Sequence, residues 1–167
     1  MNLNFKSTFD LNPEQIAKYF DELDFSHQPN WKGCYCRFYH NDLPFEQWMR
    51  RTAEDNRLEM IESLKNHSMH GLMALEDDKI IAWLNINDIE KYARIYPNVP
   101  EKLKKQKIAC PICFMCIPII EEKALRQRCW NTRLNTMQSL IMTHSLRFLY
   151  QVPVLQVIVD LNPCMQN

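Results

Sequence analysis

The sequence predicts an α/β fold, more narrowly α+β elements around a mixed sheet, on three observations. Residues 108–117, IACPICFMCI, carry no charge and no polar group beyond three thiols. Such a run is too short to cross a membrane and suits a strand buried on both faces. Residues 69–75 and 79–86 are two apolar stretches around the acidic pair Asp77-Asp78, which signals a hairpin. Two segments with helical spacing, 13–23 and 45–65, accompany these strands.

Each element has a local reason. Asn12-Pro13-Glu14-Gln15 starts a helix, with Asn as N-cap, Pro at the first helical position and Gln three residues after the cap. Ile16, Tyr19, Phe20 and Leu23 then make one apolar stripe. A turn-rich segment, 26–33, leads into residues 34–39, CYCRFY, where loosely alternating aromatic and thiol side chains predict a strand. Residues 45–65 read as one long helix with Phe45, Trp48, Met49, Thr52, Met60, Ile61 and Leu64 on its buried side. After the hairpin, residues 88–96 read as a short helix ended by Pro97, and the charged run 101–107 as an exposed connector. Pro111 deletes one ladder hydrogen bond, so it belongs at a bulge or a splayed edge. Beyond Pro118 the pattern loosens. Residues 119–150 read as a helix with an irregular stripe, and 152–159 as a strand weakened by Pro153.

At 167 residues the chain fits one domain with a real core. Lys plus Arg and Asp plus Glu number 20 each, so no charge imbalance points to nucleic acid or to an anionic membrane. The first ten residues lack the basic region and apolar core of a signal peptide. Seven Cys without a secretion signal argue for reduced thiols in a cytoplasm. Glycine is the outlier: there are two, Gly33 and Gly71, where average usage gives about twelve. From Leu72 onward there is none, hence no glycine-rich ligand loop.

Several constellations invite a chemical reading. Cys110, Cys113 and Cys116 have the C-x2-C-x2-C spacing seen in iron–sulfur ligation. In a strand, however, that spacing sends Cys113 to the face opposite Cys110 and Cys116, which favours core thiols. Cys34, Cys36 and His40 offer three zinc ligands, although C-x-C is tighter than the usual spacing of structural sites and no second pair lies nearby. His67 and His70 read as ordinary loop histidines, Trp31, Trp48 and Trp83 as core, and Lys102, Lys104, Lys105 and Lys107 as a solvated face. No triad, Walker loop or dinucleotide fingerprint occurs.

Trp31-x-x-Cys34-Tyr35-Cys36-Arg37-Phe38-Tyr39-His40, then Asn56-Arg57, then Gly71-Leu72-Met73-Ala74 and Lys79-Ile80-Ile81-Ala82-Trp83-Leu84-Asn85 occur in that order. Together they resemble a bacterial branch of the GCN5-related N-acetyltransferases (GNAT), over about residues 20–118. The resemblance implies a GNAT-like acyl-CoA N-acyltransferase fold that transfers acetyl from acetyl-CoA to a small-molecule or peptide amine. Its strand matching residues 110–118 splays from the next one and pairs with the pantetheine arm. Cys116, Ile117 and Pro118 are thereby implied as cofactor-binding. No catalytic base is implied by any matched residue.

Directly after that strand the family has [RQ]-x-x-G-x-[GA], a helix N-terminus whose amides hold the pyrophosphate. Here the chain reads Ile119-Ile120-Glu121-Glu122-Lys123-Ala124, two carboxylates and no glycine where an anion should dock. The neighbouring reading phase offers an account. Taking the third base of each codon with the first two of the next, residues 119 onward permit the string Y-R-R-K-G-I-A, which fits the missing motif. Cys129 into Trp130 then forces Leu, and Trp130 into Asn131 forces Glu, suiting the helix that follows in the family. Residues 1–118 are therefore expected to be the GNAT-like part, and 119–167 a frameshifted or divergent tail that leaves acetyl-CoA binding weak or absent. The alternative is a non-enzymatic thiol, zinc-binding or interaction domain.

Overall fold

The computed structural model describes residues 3–26 and 28–117. The helix expected over 119–150 and the strand expected over 152–159 lie outside them, as does Pro118. The described chain is α+β, with one four-stranded sheet in the order β1-β2-β3-β4. The strands are β1 (Leu3–Ser7), β2 (Gly71–Glu76), β3 (Lys79–Asp88) and β4 (Ala109–Cys116). All three pairings are antiparallel, so the mixed sheet expected from the sequence is, in the described residues, an antiparallel one. The main helices are α1 (Pro13–Asp21) and α3 (Ala53–Lys65), with single turns α2 (Phe45–Trp48) and α4 (Glu101–Lys104). No described helix is long and apolar enough to cross a membrane.

The hairpin forms where expected. Asp77 and Asp78 both take positive φ, 46° and 67°, between the paired Glu76 and Lys79. A two-residue connection with both φ positive matches the twist of the strands, and Asp tolerates that region. Each neighbouring ladder carries one extra residue. Ile81 is the bulge between the Ala74–Ala82 and Leu75–Ile80 pairs, and Ile112 the bulge between Asn85–Cys113 and Ile86–Pro111. Pro111 thus sits beside a bulge, where its missing N–H disturbs the ladder least. Most of β4 is half-buried rather than buried on both faces, because it is the edge of the described sheet.

α1 begins as its sequence predicts: the Asn12 side chain accepts from the Glu14 N–H at 2.8 Å, and Pro13 fills the first position. Its apolar stripe, Ile16, Tyr19 and Phe20, joins Met60, Leu64, Met69, Met73, Leu75, Ile80 and Trp83 in the main core. The long helix over 45–65 is instead two pieces. Thr52 and Asp55 form a reciprocal capping box that starts α3 afresh. Phe45 and Met49, expected on a buried side, are 62% and 66% exposed; Met60, Ile61 and Leu64 are buried as expected.

Residues 34–39 are not a strand. Gly33, Tyr35 and Cys36 have φ of 77°, 47° and 54°, and Phe38–His40 is a 3-10 turn. Left-handed residues cannot extend a ladder, and this loop is held by side chains instead. Asn56 donates to the Gly33 carbonyl at 2.9 Å, while Arg37 and Arg51 clamp the two oxygens of Glu59. Likewise 88–96 is not one helix but the 3-10 turn Ile89–Lys91 followed by Tyr96–Asn98, with Pro97 inside the second. β1 has a short alternating pattern, Leu3 and Phe5 against Asn4 and Lys6, and its pairing with β2 buries Ser7 and Thr8.

Candidate functional site

The Trp83 face of the sheet and the edge of β4 gather the residues able to do chemistry. Trp83 is fully buried because Gly71, diagonal to it on β2, leaves room for it: a Cβ at Gly71 would strike the indole ring and sit 2.5 Å from the Leu84 carbonyl. The Gly71 and Trp83 elements of the hairpin motif are therefore one packing unit.

On β4, the Ile117 N–H donates to the Ile81 carbonyl at 2.9 Å. An antiparallel ladder bonds alternate residues, so Cys116 and Phe114 turn their N–H and C=O groups away from β3, toward the outer edge. No described strand pairs with that edge. Tyr19 ties α1 to the same strand by donating its hydroxyl to the Met115 carbonyl at 3.0 Å. Of the three residues implied by the resemblance, Cys116 offers backbone groups to the edge and Ile117 commits its N–H to β3. Pro118 lies outside the described residues.

The loop carrying Cys36 lies over Trp83 and β4. Cys36 Sγ is 2.8 Å from Cys113 Sγ, and the Trp83 indole N–H donates to Cys36 Sγ at 3.3 Å. Burial first, then the neighbouring Cys113, holds the Cys36 thiol well above its ordinary range; desolvation pushes Cys34 up to about 11. Both stay protonated at neutral pH. Cys113 was expected on the face opposite Cys110. The Ile112 bulge cancels that alternation, placing Cys110 opposite Asn87 and Cys113 opposite Asn85, two residues apart on β3.

A second cluster centres on Asn85, fully buried on β3. Its Nδ2 lies 2.9 Å from His40 Nε2, and its Oδ1 lies 3.2 Å from the Tyr92 hydroxyl, which also reaches the Cys110 carbonyl at 2.9 Å. Burial, then the nearby Arg37 charge, lowers the imidazole to about 4, so it is neutral and accepts from Asn85. Buried and with Nε2 against the Asn85 amide, His40 is a structural element rather than a free base.

Cys34, Cys36 and His40, which the sequence offered as zinc ligands against its own spacing, do not meet at one point, and no group of three or more His, Cys, Asp or Glu among the described residues is placed to hold a metal ion. His70 is not an ordinary loop histidine: it is buried, beside Ser7 Oγ at 3.1 Å and the Ile86 carbonyl at 3.2 Å. Trp83 is core, whereas Trp31 and Trp48 are half-buried. Asn85, Tyr92 and Arg37 were missed as site residues. A polar Asn within the apolar run 80–86 was the available signal. Compared with protein-family models, with curated proteins and with solved structures, the chain finds no match.

Proposed function

We propose that residues 1–118 are the N-terminal and central part of a GNAT-like N-acetyltransferase whose pyrophosphate-binding segment has been replaced from about Ile119. Support comes chiefly from β4: a bulged strand at the edge of the described sheet, directly before the altered segment, with the Phe114 and Cys116 backbone groups directed away from β3. An extended ligand with amide groups, such as a pantetheine arm, pairs with such an edge as an added strand does. Of the implied set, Cys116 supplies these groups best, and Pro118 has no N–H to give.

In that scheme the protein contributes position. With the arm paired to β4, an amine would attack the thioester carbonyl, forming the amide as the C–S bond breaks and coenzyme A leaves. A carboxylate or water would take the amine proton and pass it to the departing thiolate. No described residue is assigned as the base. The pyrophosphate is where the residues do not fit. The sequence after Pro118 supplies Glu121 and Glu122 instead of glycine amides, so several charge-assisted hydrogen bonds of roughly 1.5–3 kcal/mol each are missing. Losing two weakens binding by about a hundredfold or more.

Two measurements test this. The coding DNA, read one base out of phase from the Pro118–Ile119 codons, is expected to encode an R-x-x-G-x-A loop; a sequence unable to encode it removes the replacement from the account. Calorimetry of the chain with acetyl-CoA is expected to give weak binding or none. A low-micromolar dissociation constant overturns the claim that the segment is lost.

A further inference from the structure

We propose that Cys36 and Cys113 are an oxidation site, a thiol pair that closes to an intramolecular disulfide when the protein meets a low-molecular-weight disulfide such as oxidised glutathione. The sulfurs are in direct contact although the residues are 77 apart in sequence. They belong to different supports, Cys36 to the loop after Gly33 and Cys113 to β4, so the bond would fasten that loop to the sheet edge. Two thiols that already touch need only a small approach to reach bonding distance.

Access sets the order of events. Cys36 is 7% exposed, whereas Cys113 is half-buried. The Cys113 thiolate attacks one sulfur of the oxidant, forming a mixed disulfide and expelling one thiolate. Cys36 Sγ then attacks Cys113 Sγ, forming the protein disulfide and expelling the second. The two thiol protons pass to the departing thiolates; the pair is oxidised and the small disulfide is reduced to two thiols. The site owes nothing to the acetyltransferase assignment, and neither Cys34 nor His40 takes part in it.

The test uses the full chain, incubated with excess oxidised glutathione, acid-quenched, alkylated and mapped by mass spectrometry. A Cys36–Cys113 linkage is expected to form at least about tenfold faster in the folded protein than in urea, because the fold holds the sulfurs together. Dithiothreitol should reverse it, and Cys34→Ser should leave it unchanged. Cys36→Ser is expected to trap Cys113 as the glutathione adduct, since the resolving thiol is gone. The proposal is overturned if both thiols are recovered alkylated, or if folded and urea-treated chains link at the same rate. Should Cys36→Ser unfold, the comparison of folded and urea-treated wild-type chain decides alone.

Discussion

Two buried clusters on one face of the sheet, both made by the loop 33–40 meeting β3 and β4, treat their polar atoms differently. Around Asn85, the imidazole of His40, the amide and the phenol of Tyr92 are each hydrogen-bonded, with the Cys110 carbonyl closing the network. Around Cys36, an indole N–H reaches the sulfur and a second thiol, Cys113, lies against it. Strong donors and acceptors that satisfy one another in a low-dielectric interior specify geometry and leave nothing to react. Thiols bond weakly, so their cluster is held by packing and keeps its chemistry.

That contrast can be broken most severely at the packing centre. Trp83→Ala is expected to cost about 3–5 kcal/mol, since it empties a fully buried site. Urea denaturation measures it, and a loss below about 1 kcal/mol would mean that the thiol cluster does not depend on the indole.

Acid should act next most strongly, and through the other cluster. His40 is held at about 4 against 6.5 for an ordinary histidine, by burial and then by Arg37. Between those values the unfolded chain binds a proton that the folded chain excludes. The folded state therefore keeps its full advantage above about pH 6.5 and loses it as the pH falls toward about 4. From pH 7 to pH 5 the loss from His40 is about 2 kcal/mol. His70, lowered mainly by burial, works in the same direction. A urea midpoint unchanged over that range contradicts a neutral buried His40.

Tyr92→Phe removes the hydroxyl shared between the Cys110 carbonyl and Asn85, and should cost about 1 kcal/mol by the same denaturation. The smallest effect is expected at α2. Phe45→Ser should change stability by less than about 0.5 kcal/mol, because the ring is mostly exposed. A larger loss would restore the unbroken helix that the apolar spacing suggested.

The elements governed by local chemistry were readable in the sequence. Asn12-Pro13 capped α1, the Asp77-Asp78 turn made the hairpin, and Pro111 marked a bulge. The errors have three sources: tertiary side-chain contacts that override pattern, a local helix start that was passed over, and a bulge. The CYCRFY stretch alternates like a strand, but Asn56 holds the Gly33 carbonyl before it, Glu59 its arginine and Arg94 the Phe38 carbonyl, and Tyr35 and Cys36 turn left-handed. Thr52 was counted as one more residue on a buried helical face, although its spacing to Asp55 is a helix start. At the site, the Ile112 bulge reversed the expected facing of Cys113, and no spacing rule anticipates an extra residue. The Cys36–Cys113 contact spans too much sequence for any local signal to mark it.

The central claim, that a GNAT-like sheet here lacks its anion-binding segment, is tested most directly by paired thermal melts. The chain and a version returned to the neighbouring reading phase after Pro118 are each melted with and without acetyl-CoA. A restored loop supplies amide donors at a helix N-terminus, and ligand at a hundred times its dissociation constant adds about 2.7 kcal/mol. The restored protein is predicted to melt several degrees higher with acetyl-CoA, and the present chain to melt unchanged. An unchanged melt of the restored protein, or an equal shift in both, would contradict the account.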